Sequence, residues 1–174
     1  MSEFIMHILH ISALGIWPLK GKGGMPSLAQ TLRGHQRAGH TITVILPQYD
    51  PFGGQSEPLF IPEDSPYDIH VAPCRWLPGL NGLRQIIKNH STSGEIPFVF
   101  RWVLNMVTFL FLTVSLFFSA LRVRRRNRTK FDLVYAHNQN AALAGLLLRL
   151  AWRIPNVTRL YGTFLADLMD RPYV

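Results

Sequence analysis

Cysteine is nearly missing from this 174-residue chain. Cys74 stands alone, which excludes an internal disulfide and any multi-cysteine zinc site and fits a reducing compartment. Acidic residues are scarce as well, ten against eighteen lysines and arginines, for a formal net charge of +8. Internal repeats and low-complexity tracts are lacking, and neither G-x-G-x-x-G nor the Walker pattern occurs. A plain dinucleotide or ATP site is therefore disfavoured. The N-terminus does not read as a secretory signal, because Glu3 sits where positive charge is expected and His7 and His10 interrupt the apolar run. Without such a signal, the N-x-S/T triplets at Asn89, Asn127 and Asn156 read as chance.

The excess of positive charge is local. Arg122, Arg124, Arg125, Arg126, Arg128 and Lys130 form one run, and the twelve other basic residues nearly balance the ten acids. A nucleic-acid binder needs a wider basic surface with aromatics or a known motif, and neither is present. The hydrophobic fraction of 48% and the length together suit one globular domain, 1–174.

Apolar periodicity orders the ends of the chain. Phe4–Ile11 is short and rich in aliphatic side chains, as a buried parallel strand is. The Lys20–Gly24 loop follows, and Pro26 then suits the first position of a helix. Leu28, Leu32 and His35 share one helical face, Gly39 is a stop, and Thr41–Leu46 is a second strand. That is a βαβ unit with a right-handed crossover. The Pro/Gly-rich region 47–97 breaks the pattern, with Tyr67–Ala72 as a third strand and Leu83–Lys88 as a short helix. Regular texture returns with strand Phe131–Tyr135, apolar helix Ala141–Trp152 and strand Val157–Tyr161, and Phe164–Met169 begins another helix. The pattern predicts an α/β fold, a Rossmann-like parallel sheet with helices on both faces and an apolar helical insertion.

In such a sheet, ligands bind where loops leave the carboxyl ends of the strands. The adjacent Gly23 and Gly24 let backbone N–H groups approach an anion at a helix N-terminus, which suits a diphosphate or phosphosugar; a flexible surface turn reads equally well. Ala136–Asn140 forms a polar loop after a buried strand. There Asn138 or Asn140 caps the next helix, and His137 acts as a base, hydrogen-bonds a substrate or merely packs. Gly162 in Tyr161-Gly162-Thr163 permits a tight turn. No metal site is expected.

Taken in order, Met6–Ile11, Gly23-Gly24, Leu28–Leu32, Ala38–Val44, Phe131–Asn138 and Tyr161–Thr163 resemble the N-terminal half of family 4 glycosyltransferases. The resemblance covers roughly 1–47 and 130–171. It implies one half of a GT-B architecture, two Rossmann-like domains facing across a cleft. It further implies that Gly23 and Gly24 lie on the donor phosphate side. His137 is then the acceptor-side catalytic candidate, and Asn138, Tyr161, Gly162 and Thr163 line the cleft. Tyr161 stands where many relatives carry a histidine. The family's C-terminal donor-binding domain has no counterpart here, so the nucleotide-sugar, a co-substrate and not a cofactor, is expected to bind only with a second domain. Little or no transfer is expected from the chain alone. The alternative is a non-catalytic membrane-attached module that recruits a separate donor-domain subunit or another partner.

Between the two regions of resemblance lies an apolar segment, 98–121, ahead of the basic run 122–130. Val103–Leu121 is without charge and as a helix spans about 28 Å, close to the hydrocarbon thickness of a bilayer. A single crossing would put strand 131–135 on the far side of the membrane from strand 4–11, so one sheet could not hold both. Attachment to one leaflet remains the favoured reading, with Arg122, Arg124, Arg125, Arg126 and Arg128 on anionic headgroups at the cytoplasmic face. Burial in the domain is the competing one. Asn105, Thr108, Ser115 and Ser119 form a narrow polar stripe facing either protein or headgroups. A hydroxyl acceptor, including the lipid-linked kind that the resemblance implies, is consistent with attachment.

Overall fold

A computed structural model describes residues 5–16, 26–49, 61, 65–91 and 97–160. The opening aliphatic run is strand β1 (His7–Ser12), almost wholly buried, as a strand covered on both faces must be. Helix α1 (Pro26–Arg37) follows and ends at Gly39, whose φ of +78° suits a residue without a side chain. The Gly39 N–H donates to the Gln36 carbonyl at 2.9 Å, and that of His40 to His35 at 3.1 Å, so the helix ends in satisfied carbonyls. Strand β2 (Thr41–Pro47) completes the βαβ unit, and β3 (Asp68–Ala72) pairs beside it. Helix α2 (Leu77–His90) is longer than the expected 83–88, since Pro78 is tolerated in a first turn. Helix α3 (Phe98–Asn127), strand β4 (Leu133–His137), helix α4 (Gln139–Trp152) and strand β5 (Asn156–Arg159) complete the described chain.

The five strands are all parallel, in the order β3-β2-β1-β4-β5. This is the doubly wound arrangement, and its chain order reverses between β1 and β4. Two cores follow from strand alternation. Leu9, Ile11, Val134 and Ala136 pack with Leu112, Leu116, Ala144 and Leu148 under α3 and α4. Val44 and Leu46 pack with Leu28 and Leu32 under α1 on the opposite face. The α/β class, the parallel sheet and the helices on both faces are as the sequence pattern indicates.

The apolar segment and most of the basic run form one continuous helix, α3, inserted between β3 and β4. It packs on α4, β2 and β3, so its second half serves as the crossover. Thr113 Oγ1 donates to the carbonyl of Asn140, in the first turn of α4. That bond fixes Thr113 at the height of the sheet's carboxyl edge. Residues 98–112 therefore continue past that edge, with α2 alongside. The polar stripe faces protein. Arg84 of α2 donates from Nη2 to Thr108 Oγ1 at 2.8 Å and to Asn105 Oδ1 at 3.3 Å, and Trp76 Nε1 donates to Ser115 Oγ at 3.4 Å. Because β1 and β4 are direct neighbours, α3 does not place them on opposite sides of a bilayer. Its outer face is nonetheless apolar and exposed at Val103, Leu110, Val114 and Phe118, and α3 meets length and composition criteria for a membrane helix.

Candidate functional site at the strand ends

The β1–β4 register pairs Ser12 with His137, so the two strands end together where the chain order reverses. Ser12 is occupied locally: its Oγ donates to the Leu14 carbonyl and accepts the Leu14 N–H. The expected loop 136–140 is tighter than the sequence suggested. Ala136 and His137 belong to β4, Gln139 and Asn140 to α4, and Asn138 alone makes the turn. Its side chain accepts from the N–H groups of Asn140 (3.1 Å) and Ala141 (3.2 Å), which makes Asn138, and not Asn140, the cap. It does so at φ 69° and ψ 171°, a conformation few residues other than glycine adopt.

Strand alternation sends His10 of β1 and His137 of β4 to the α1 face, where both are fully buried. His10 Nδ1 lies 2.9 Å from His137 Nε2, and His10 Nε2 lies 3.1 Å from Nδ1 of His35 on α1. Three imidazoles thus form a continuous hydrogen-bonded chain from the end of β4 to a partly exposed helix position. Tyr135 stacks on His10 and His137, with centroids 5.2 and 4.7 Å away. His40 lies 6.0 Å from His35 by centroid, and Arg159 of β5 reaches the same face, donating from Nη1 to Thr31 Oγ1 of α1 at 2.8 Å.

This surrounding disfavours imidazolium. Burial, and then the Arg159 charge and His35, push His137 down to about 3. Burial with His137 and His35 alongside holds His10 well below the usual histidine range. Burial and His40 lower His35 as well. All three rings are therefore neutral at pH 7. Cys74 offers no nucleophile, because burial pushes its thiol up. Among the described residues no group of three or more His, Cys, Asp or Glu side chains is arranged to hold a metal ion; the three histidines point their nitrogens at one another.

No family model and no curated protein matches the chain.

Of the residues singled out in the sequence, the structure places His137 and Asn138 together at the β4 end. Gly23 and Gly24, and Tyr161, Gly162 and Thr163, lie outside the described residues. Arg122, Arg125, Arg126 and Arg128 are exposed at the far end of α3. Arg124 instead lays its guanidinium over the Trp152 ring, 4.7 Å from the centroid. Sequence reasoning did not assign His10, His35 or Tyr135 to the site. The signal was present, since His10 interrupts a buried strand and His35 lies on the apolar face of α1. It needed the sheet order to bring both to His137.

Proposed function

We propose that this chain supplies the acceptor side of a GT-B sugar transferase and sits on a membrane through its outer helical layer. The observation that carries the first part is the placement of His137 and Asn138 at the β1–β4 ends, the crevice where open α/β sheets bind ligands. A hydroxyl acceptor would meet the His137 imidazole there. The nucleotide-sugar would come from a second Rossmann-like unit facing this edge, with Gly23 and Gly24 on the phosphate side. No cofactor beyond that co-substrate enters the reading. Fold alone does not decide activity, so the proposal rests on the site and on the sequence resemblance.

Membrane attachment is supported by the outer faces of α3 and α4. Val114 and Phe118 of α3, and Leu146 and Leu150 of α4, are exposed, and Arg149 and Arg153 join the basic run. Between Phe98 and Leu160, Asp132 is the sole acidic residue against ten basic ones, a balance that favours anionic headgroups and, by their abundance there, the cytoplasmic leaflet. The test is a titration of the isotope-labelled protein with alkyl glycosides and, separately, with UDP- and GDP-sugars. The acceptor mimics are expected to shift His137 and Asn138 resonances, while nucleotide-sugars alone bind no tighter than millimolar. Acceptor shifts confined to other surfaces would contradict the acceptor assignment, and submillimolar nucleotide-sugar binding would contradict the division of the cleft. A chain that binds a donor-domain partner yet shifts with neither class of ligand is the recruiting module instead.

A further inference from the structure

A general base at His137 faces a physical difficulty. The proton it takes would leave an imidazolium buried beside Arg159, at a position where the charged form is strongly disfavoured. The histidine chain supplies a way around it. A neutral imidazole has one N–H and one lone pair. Because His137 Nε2 meets His10 Nδ1, and His10 Nε2 meets His35 Nδ1, the two bonds can both form in only two ways. Either all three rings carry their hydrogen on Nε2, or all three carry it on Nδ1. Mixed arrangements put two hydrogens or two lone pairs face to face.

We infer that His10 and His35 are relay residues, which carry a proton from His137 at the strand ends through the sheet face to water beside α1. The inference rests on the acceptor-side reading for the role of His137, but the relay itself is a property of the three rings. In the step, the acceptor O–H gives its proton to His137 Nδ1 as the oxygen bonds to the sugar carbon. The diphosphate leaves with the electrons of the broken sugar–phosphate bond. His137 passes its Nε2 proton to His10 Nδ1, His10 passes its Nε2 proton to His35 Nδ1, and His35 releases its Nε2 proton to water. Three neutral rings enter the step and three neutral rings leave it. The all-Nε2 state has become the all-Nδ1 state, and it resets through bulk water once product has gone. Tyr135, stacked on both buried rings, holds their planes within 15° and 23° of its own, which keeps the nitrogens aligned.

Among the described residues, Arg159 of β5, Tyr135 of β4 and His40 after α1 face the chain.

The experiment needs no substrate, so its outcome is separate from that of the transferase reading. Ring-nitrogen NMR on the labelled protein at pH 7 reports the tautomer of each histidine, and solvent exchange of the proton between His10 and His137 is measured in the same sample. The wild type is expected to show one tautomer shared by all three rings. His35→Leu, a substitution at a partly exposed helix position, is expected to slow exchange of that buried proton by about tenfold or more, with backbone amide exchange in β1 and β4 unchanged. Opposite tautomers at His10 and His137 overturn the relay, and this measurement stands even if the variant does not fold. Shared tautomers with unchanged exchange in a folded His35→Leu protein overturn it too.

Discussion

At the scale of single residues, the account depends on groups kept neutral. His10, His35 and His137 have lowered folded-state values, while in the unfolded chain they titrate near the ordinary histidine value of about 6.5. Below that value the unfolded state binds protons that the folded state refuses. Stability is therefore full above about pH 6.5 and falls below it, by up to about 1.4 kcal/mol per pH unit for each of the fully buried rings, His10 and His137, while it stays neutral in the fold, which for His137 extends down to about 3. Urea unfolding from pH 7.5 to 4.5 is expected to show that loss, and His10→Phe is expected to flatten it; a profile level below pH 6 would contradict the burial of neutral rings. Asn138 offers a second check. Glycine there loses the cap but relieves the backbone, whereas alanine loses the cap and keeps the strain. Asn138→Ala is expected to be less stable than Asn138→Gly by about 1 kcal/mol, measured by chemical denaturation, and equal stabilities would argue against the strained cap. His137 and Asn138 were legible in the sequence because a polar run follows a buried strand. The partners of His137 were not, because strand order, and not local spacing, sets β1 beside β4.

At the scale of elements, the βαβ opening was readable because each part carries its own signal: the aliphatic run, Pro26, Gly39 and Pro47. The middle of the chain was harder. β3 is a half-exposed edge strand without a strong apolar pattern, and α2 begins with a proline and a glycine that look like a turn. The polar stripe of α3 could be located from periodicity, but its partners Arg84 and Trp76 come from α2 and the turn before it. Close packing of α4 on the sheet gives a further test. A Cβ added at Gly145 would lie 2.7 Å from Asn156 Oδ1 and 3.0 Å from Ala136 Cβ. Gly145→Ala is thus expected to cost about 1–3 kcal/mol by overpacking, although alanine is the better helix former. A stabilising effect on thermal unfolding would mean that α4 stands farther from the β4–β5 pair.

For the molecule as a whole, one side of the sheet carries the histidine chain and the other carries an apolar, acid-free helical layer. That asymmetry is expected to orient the protein on a surface. Flotation with vesicles containing anionic lipid should recover the wild type, and Arg125→Glu with Arg126→Glu should weaken binding about tenfold at low salt, less at high salt. Phe118→Asp should weaken it at every salt concentration, and binding indifferent to both changes would leave the helical layer without its proposed role. The central claim, that the β1–β4 ends hold a sugar acceptor, is tested most directly by transfer itself. Membranes from cells producing the protein together with a donor-domain partner are supplied with radiolabelled UDP- or GDP-sugars, and label reaching a hydroxyl acceptor is counted for the wild type and for His137→Asn. The expected result is incorporation with the wild type and a fall of about a hundredfold or more with the variant; incorporation that survives the loss of the imidazole would contradict the account.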